Sequence, residues 1–352
     1  MLRIGSIIVG GFVMIVTILP FFRSKAWWVR VWDFPRFQLA VVGALAIVGS
    51  VVTTEDARSP GTWLFLGALA AAVLYQAALV WRYSRLAPLE VEGSRADTRP
   101  RLSVAVSNVM QTNRASDRLI RVLSAADADV LQFVETNDCW SERLDILLQT
   151  HRHIVQCPLS NTYGMLLYSR LPLLDTSIDF LVQRDIPSIQ AHVRLEDGTT
   201  VWLNCVHPRP PAPGESDESL ERDAELLVVG KRVRDAEQPV VVCGDLNDVA
   251  WSRTTRLFQK ASGLVDPRKG RGMFNTFHAR FPGLRFPLDH ILHSTDFRLV
   301  EMRVLPFVGS DHFPVVATLS FEPDARAEQK APAPDGADEQ ETRETIGEGK
   351  SR

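Results

Sequence analysis

The chain has 352 residues, 45% of them hydrophobic, and a formal net charge of −3. That length allows two ordinary domains, and the near-neutral charge excludes a molecule whose whole surface is basic enough to hold nucleic acid. Four cysteines without a CxxC or Cys/His cluster exclude a zinc module.

Three stretches near the amino terminus approach membrane-spanning length: residues 4–22, 37–53 and 63–81. A bilayer core takes roughly 20 apolar residues per helix, so the second stretch is at the short end. None carries a charge in its interior, and Phe21, Phe22, Trp27, Trp28, Trp63, Trp81 and Tyr83 sit at their edges, as membrane interfaces favour. Residues 1–85 therefore read as an all-α anchor with three transmembrane helices that engage a lipid bilayer. The loop at 23–36 carries Arg23, Lys25, Arg30 and Arg36, and the segment after the third stretch carries Arg82, Arg85, Arg95 and Arg99. The loop at 54–62 has Arg58 beside Glu55 and Asp56. By the positive-inside rule the protein is a multi-pass protein of the inner (cell) membrane, with its large domain in the cytoplasm. Residues 86–101, with Pro88, Gly93 and Pro100, read as a linker.

From residue 102 to 321 the pattern is that of a soluble α/β domain. Strands are expected at 102–106, 129–134 and 164–168, with a helix at 118–126. Strands at 189–195 and 200–206 are joined by Glu196-Asp197-Gly198, a hairpin signal. An amphipathic helix over 218–234 leads into a valine-rich strand ending at Cys243, and strands follow at 290–293, 297–304 and 315–321. Mixed hairpins with two α-crossovers predict two packed sheets flanked by helices. Residues 322–352 are rich in Ala, Pro, Glu, Asp and Lys and poor in large apolar side chains, so a disordered tail is expected there. Cys205 and Cys243 fall in strand-like runs as small buried hydrophobes, whereas Cys139 and Cys157 are free to pair in an oxidising compartment.

The chemistry concentrates where strands end. Gly244-Asp245-Leu246-Asn247 closes the valine strand, and side chains two apart on an extended chain point the same way, so Asp245 and Asn247 are expected side by side. Gly244 allows the backbone to approach whatever they hold. Asn108, Glu135 and His207 close other strands, Asp289 opens one within an apolar run, and Ser310-Asp311-His312 introduces the last. Singly, each could be a turn former or a cap. Six such places in one domain argue for a site, since loops at sheet edges on a rigid scaffold are where catalytic residues gather.

Asn108, Gln132-Phe133-Val134-Glu135, His207-Pro208, Gly244-Asp245-Leu246-Asn247, Leu288-Asp289-His290 and Ser310-Asp311-His312 occur in the order seen in the endonuclease/exonuclease/phosphatase superfamily, and this part of the chain resembles that group. The run from Gly164 to Pro172 is similar to the group's Gly-x-x-x-x-Ser-Arg-x-Pro strand. The resemblance implies a four-layered α/β sandwich and metal-dependent hydrolysis of phosphate esters. It implies Glu135 as the main Mg²⁺ ligand (Mn²⁺ being an alternative), with Asn108 and Asp311 near the metal. Asp245 and Asn247 would meet the attacking water and a phosphate oxygen. His312 would be the base or the phosphate-polarising group, oriented by Asp289, with His207 on the leaving side. Pro287-Leu288 stand where the group often has an arginine, and Phe277 where it often has tryptophan.

Those residue types suit the chemistry, because a hard Mg²⁺ needs only one or two carboxylates to sit against a phosphate. The expected substrate is a phosphodiester of nucleic acid or of a phospholipid headgroup. Lys260, Arg268, Lys269 and Arg271 are loosely clustered, and the loop over 269–280 is a candidate phosphate rim. The rival reading is a non-catalytic membrane protein that reuses the fold for binding.

Overall fold

The structure is a computed structural model, which describes residues 2–54, 59–95 and 100–351. Glu55, Asp56, Arg58 and Arg99, weighed above for orientation, lie outside the described residues. The chain begins with helices α1 (Leu2–Ile18), α2 (Trp27–Arg30), α3 (Arg36–Val52) and α4 (Pro60–Trp81). Leu2–Phe22 and Pro60–Trp81 are each long and apolar enough to cross a membrane. Trp27–Asp33 and Arg36–Val52 are bent by 74° and supply a third span only if counted together. A polar chain ties the bundle at one end: Arg36 Nη1 donates to Gln76 Oε1 (3.0 Å) and Gln76 Nε2 to Thr17 Oγ1 (2.9 Å). In an apolar bundle such bonds favour helix association.

The α/β domain follows, with β1 (Arg101–Asn108), α5 (Ser116–Ala126), β2 (Val130–Val134), α6 (Asp138–Leu144), β3 (His153–Cys157), β4 (Met165–Ser169) and β5 (Leu173–Asp179). Next come β6 (Ser188–Arg194), β7 (Thr200–Val206), α7 (Leu220–Arg234), β8 (Val240–Asp245) and α8 (Arg253–Ser262). The chain continues through β9 (Asp289–His293), β10 (Phe297–Val304), β11 (Val315–Phe321) and α9 (Gly336–Lys350). One sheet has the order β10-β11-β1-β2-β4-β3 and the other β5-β6-β7-β8-β9. Their facing sides share one core, in which Val104, Val106 and Ala317 of the first sheet meet Ala191, Leu203 and Val241 of the second. Helices α5 and α6 cover the outer face of the first sheet, and α7 and α8 that of the second. This is the four-layered α/β sandwich expected from the sequence.

Topology puts the strand ends together. Strands β1 and β2 run parallel, joined over α5, and β7 and β8 run parallel, joined over α7. The carboxyl ends of all four therefore deliver Asn108, Glu135, His207 and Asp245 to one edge of the sandwich. Strand β9 is antiparallel to β8 and starts with Asp289 opposite Asp245. Strand β11 is antiparallel to β1, so His312, just before it, reaches the same edge.

Three expectations need correction. Gly244 (φ +143°) is required by the neighbouring strand, since a Cβ there would lie 1.9 Å from the Val206 carbonyl oxygen. Asn247 (φ +51°) is left-handed, so the strand's alternation stops at Asp245. Residues 322–352 are not the expected disordered tail. Helix α9 starts in a capping box, with Asp335 accepting from the Asp338 backbone N–H, and lies on α7, where Gly349 meets Ala224. Arg253 pairs with Glu341, Lys260 with Asp338 and Lys25 with Glu348. Its polar composition is thus met by partner charges, and α7, which reads as amphipathic, is buried on both faces. All four cysteines are free, Cys139 and Cys157 included.

Candidate active site

Asn108 Nδ2 donates to Glu135 Oε1 (2.7 Å) and to Asp245 Oδ2 (3.1 Å), bridging the two sheets. Its own Oδ1 is taken by the Met110 backbone N–H (3.0 Å), which fixes the amide's orientation. Glu135 follows β2 with φ +60°, a conformation that costs a non-glycine residue on the order of 1–3 kcal/mol and turns its carboxyl toward Asn108. Its other oxygen meets the Gln111 N–H at 3.4 Å. Burial pushes Glu135 up to about 7, against the Asn108 hydrogen bond that favours its charge.

Asp245 is fully buried, and its Oδ1 accepts from the Asn247 N–H (2.9 Å). The Asn247 side chain donates to the Pro208 carbonyl (2.9 Å), tying the strand end to the loop after His207. His312 stands between two acids, with Nδ1 2.8 Å from Asp289 Oδ2 and Nε2 3.5 Å from Asp245 Oδ2. Burial would depress this imidazole, but Asp289 and Asp245 outweigh it and hold His312 up at about 10. Burial raises Asp245 as well. His207 goes the other way, lowered by burial to about 4, so it is neutral at pH 7. Its Nδ1 has no partner among the described residues, and its ring lies 5.5 Å from that of Tyr163.

The structure thus joins Asn108, Glu135, Asp245, Asn247, Asp289 and His312 through direct contacts, with His207 alongside. The Asp311 side chain makes no hydrogen bond or ion pair with them among the described residues, and it acts on Glu135 and His312 through its charge. Sequence reasoning missed Arg222, fully buried in α7, whose Nη1 holds the Asn247 carbonyl (2.8 Å) while its fork engages Asp223. It also missed Gln111 and Tyr163. Arg222 was legible only as a charge out of phase with its helix's apolar face. Thr276, upstream of the cluster, accepts from the Asp289 N–H (3.2 Å), and Phe277 packs on His312 with ring centroids 5.0 Å apart.

Asp245, Asp289 and His312 form a buried group of ligand atoms within 4.8 Å of one another that could hold a metal ion. The alternative donor set is the carboxylate oxygens of Glu135 and Asp245, joined through Asn108. A histidine held between two acids carries hydrogen on both nitrogens and has no lone pair for a metal. The oxygen pair on Glu135 and Asp245 is the better fit for a hard divalent cation.

The candidate phosphate rim does not hold as read. Arg268 is buried against Asp266 (2.8 Å), Lys269 pairs with Glu90 (2.8 Å), and Arg271 donates to the Val91 carbonyl (2.7 Å). Arg280 alone of that group is exposed, its guanidinium on the Gly309 carbonyl.

A four-layered sandwich with acids and histidines gathered at one sheet edge is the fold of phosphoesterases and nucleases. The chain belongs to the endonuclease/exonuclease/phosphatase family, whose pattern matches residues 104–312, more than half of its length. No curated protein matches the sequence at a significant level. Among solved structures, D. rerio TDP2 complexed with single-strand DNA product is 18% identical, with a TM-score of 0.53 over 62% of this chain and 99% of that one. An endonuclease/exonuclease/phosphatase from Beutenbergia cavernae DSM 12333 is 19% identical, with a TM-score of 0.53 over 64% of this chain and 72% of that one. The human nocturnin catalytic domain with bound sulfate is 17% identical, with a TM-score of 0.50 over 64% of this chain and 96% of that one.

Proposed function

We propose that the protein is a membrane-tethered, divalent-metal-dependent phosphodiesterase. The observation that carries this reading is the unbroken chain of contacts Glu135–Asn108–Asp245–His312–Asp289 at one edge of the sandwich. Oxygens of Glu135 and Asp245 would hold Mg²⁺ or Mn²⁺, which when bound would offset charge on the phosphoryl oxygens. Asp245 takes a proton from the attacking water, and the Asn247 N–H keeps that carboxylate aimed. His312, kept cationic by its two acids, faces a non-bridging phosphate oxygen. His207, neutral at pH 7, offers the leaving oxygen a hydrogen bond rather than a proton. Asn108 serves as a positioning residue for the two carboxylates.

The apolar helices support a tether in a bilayer, with the catalytic domain on the side of the basic 23–36 loop, the cytoplasmic side by the positive-inside rule. Lys260, Arg268 and Lys269, the basic cluster read from the sequence, are consumed by internal acids and leave little for the phosphates of nucleic acid. That observation favours a phospholipid phosphodiester over nucleic acid as substrate.

The test is an assay of the full chain in non-ionic detergent micelles on bis-p-nitrophenyl phosphate, phospholipid vesicles and plasmid DNA. Mg²⁺-dependent turnover should vanish in EDTA and fall by roughly 10²–10⁴-fold in Asp245→Asn and in His312→Ala. A folded chain that turns over none of the three substrates with Mg²⁺ or Mn²⁺ would return the field to the binding-protein reading. Release from membranes by alkaline carbonate, without detergent, would sink the tether.

A further inference from the structure

A polar cavity of about 460 Å³ opens where the helical bundle meets the α/β domain. No residue of the catalytic cluster lines it. Its walls carry Arg23, Arg30, Arg36, Arg253, Arg256 and Lys260 against the acids Asp33, Asp338 and Glu341. Four of these cations have acidic partners: Arg36 pairs with Asp33, Arg253 with Glu341 and Lys260 with Asp338, while Arg30 lies 3.8 Å from Asp33 and 3.6 Å from Asp223. Arg23 and Arg256 are exposed at the cavity and make no ion pair among the described residues. Arg30 and Arg36 are 7% and 2% exposed, and the Nε of each is buried without a hydrogen-bond partner. Six cations thus face three acids on the cavity walls, and the two free cations at its mouth ask for an anion.

The remaining lining says where that anion comes from. Pro20 and Phe21 end the first apolar helix, Tyr75 lies in the last turns of α4, and Arg36 opens α3, its guanidinium 5.8 Å from the Tyr75 ring centroid. The cavity therefore sits at the end of the apolar bundle, at the depth where lipid headgroups lie, with aromatic side chains on its bilayer side. Basic pockets at that depth bind anionic headgroups, whose phosphate suits forked arginine donors.

We propose that this cavity is a binding site for the phosphate headgroup of an anionic phospholipid in the leaflet facing the α/β domain. It rests on the membrane reading of the helices and is independent of the catalytic one. Arg23 and Arg256 meet the headgroup at the mouth, with the guanidinium charges of Arg30 and Arg36 behind them. The site then staples the catalytic domain to the membrane, because its walls come from the bundle, from α8 and from α9.

The experiment uses the full chain in non-ionic detergent, with bound lipid counted by native mass spectrometry during titration with phosphatidylglycerol, phosphatidylcholine or inorganic phosphate. With EDTA present to keep the catalytic site free of metal, phosphatidylglycerol should bind saturably, and the Arg23→Gln/Arg256→Gln double variant should weaken that binding by roughly tenfold or more, as loss of two interfacial cations requires. Phosphatidylcholine should bind more weakly, and Asp245→Asn should bind like the unaltered protein. Equal binding by the double variant and the unaltered chain would overturn the site. Competition by inorganic phosphate at concentrations equal to the lipid's would overturn its assignment to lipid. Because binding is read without turnover, failure of the catalytic reading leaves this result intact.

Discussion

At Asn108 one amide nitrogen serves two carboxylates that belong to different sheets, and its oxygen is already committed to the Met110 N–H. That arrangement makes Asn108 a fixture for acids. Replacing it with Ala should leave the fold in place and raise the Mg²⁺ concentration for half-maximal activity by about 10–100-fold, as removal of a residue that orients metal ligands does. A metal titration of activity checks this, and an unchanged midpoint would contradict the assignment. Glu225, on α7, carries a different residue-scale prediction. It is buried beside Ser188, whose hydroxyl donates to it at 3.0 Å, and burial pushes it up to about 8. In the unfolded chain it titrates at its ordinary, lower value. Between those values the native state binds the extra proton, so the stability this site gives is full at acid pH and is lost as pH rises toward 8. Glu225→Gln should therefore stabilise the fold at pH 8 by on the order of a few kcal/mol at most, raising the thermal midpoint there and leaving it nearly unchanged at pH 4. Melting curves of both proteins across that range decide it.

Among the elements, those with buried periodic faces were legible in the sequence, edge strands β9 and β10 included, and the more exposed ones were not. Strands β7 and β8 read clearly because central strands are apolar on both sides. Strands β3 and β5 each lie at one edge of their sheets with half-exposed, mixed side chains such as Asp175-Thr176-Ser177, and the pattern there is too weak to read. Helix α8 was missed although its punctuation is present: Ser252 caps the Thr255 N–H at 2.9 Å, and Gly263 ends it with φ +74°. Helix α9 was misread for a different reason. Its composition cannot build a core, and its order comes from acids placed opposite Arg253, Lys260 and Lys25, a pairing that no local window reveals. For the site, the residue types were legible at Asp245, Asp289, His207 and His312. The Asp289–His312 pairing followed from the resemblance, whereas the approach of Asp245 to the same histidine depended on sheet order, and the left-handed turn at Asn247 broke the alternation that placed it beside Asp245.

As a whole, the molecule is less divisible than its composition suggests. Trp251 Nε1 donates to the Asp33 carbonyl (2.8 Å), Tyr83 Oη to the Ala250 carbonyl (2.7 Å), and the Trp27 N–H to the Asp217 carbonyl (2.9 Å). The segment at 86–95, expected as a linker, adds the Ser94 N–H to the Leu299 carbonyl (2.9 Å) and Glu90 to Lys269. A fragment trimmed to residues 101–322 would expose Val249, Trp251, Phe286 and Leu288, which pack with Val80 and Tyr83, and would also strip α9 from α7. It should melt lower and aggregate more readily than a fragment over 83–351, as differential scanning fluorimetry and size-exclusion chromatography would show.

The Asn108–Asp245 bond spans the gap between the sheets, so the thickness of the central core becomes a ruler for the chemistry. Ala191 and Ala317, small and fully buried on opposite walls of that core, act as shims. Enlarging one, as in Ala317→Leu, should cost about 1–3 kcal/mol of stability by overpacking. It should also lengthen the bridge, so turnover well below the melting transition should drop far more than the unfolded fraction explains. Catalysis in this architecture is then tuned from a layer of methyl groups that never meets the substrate.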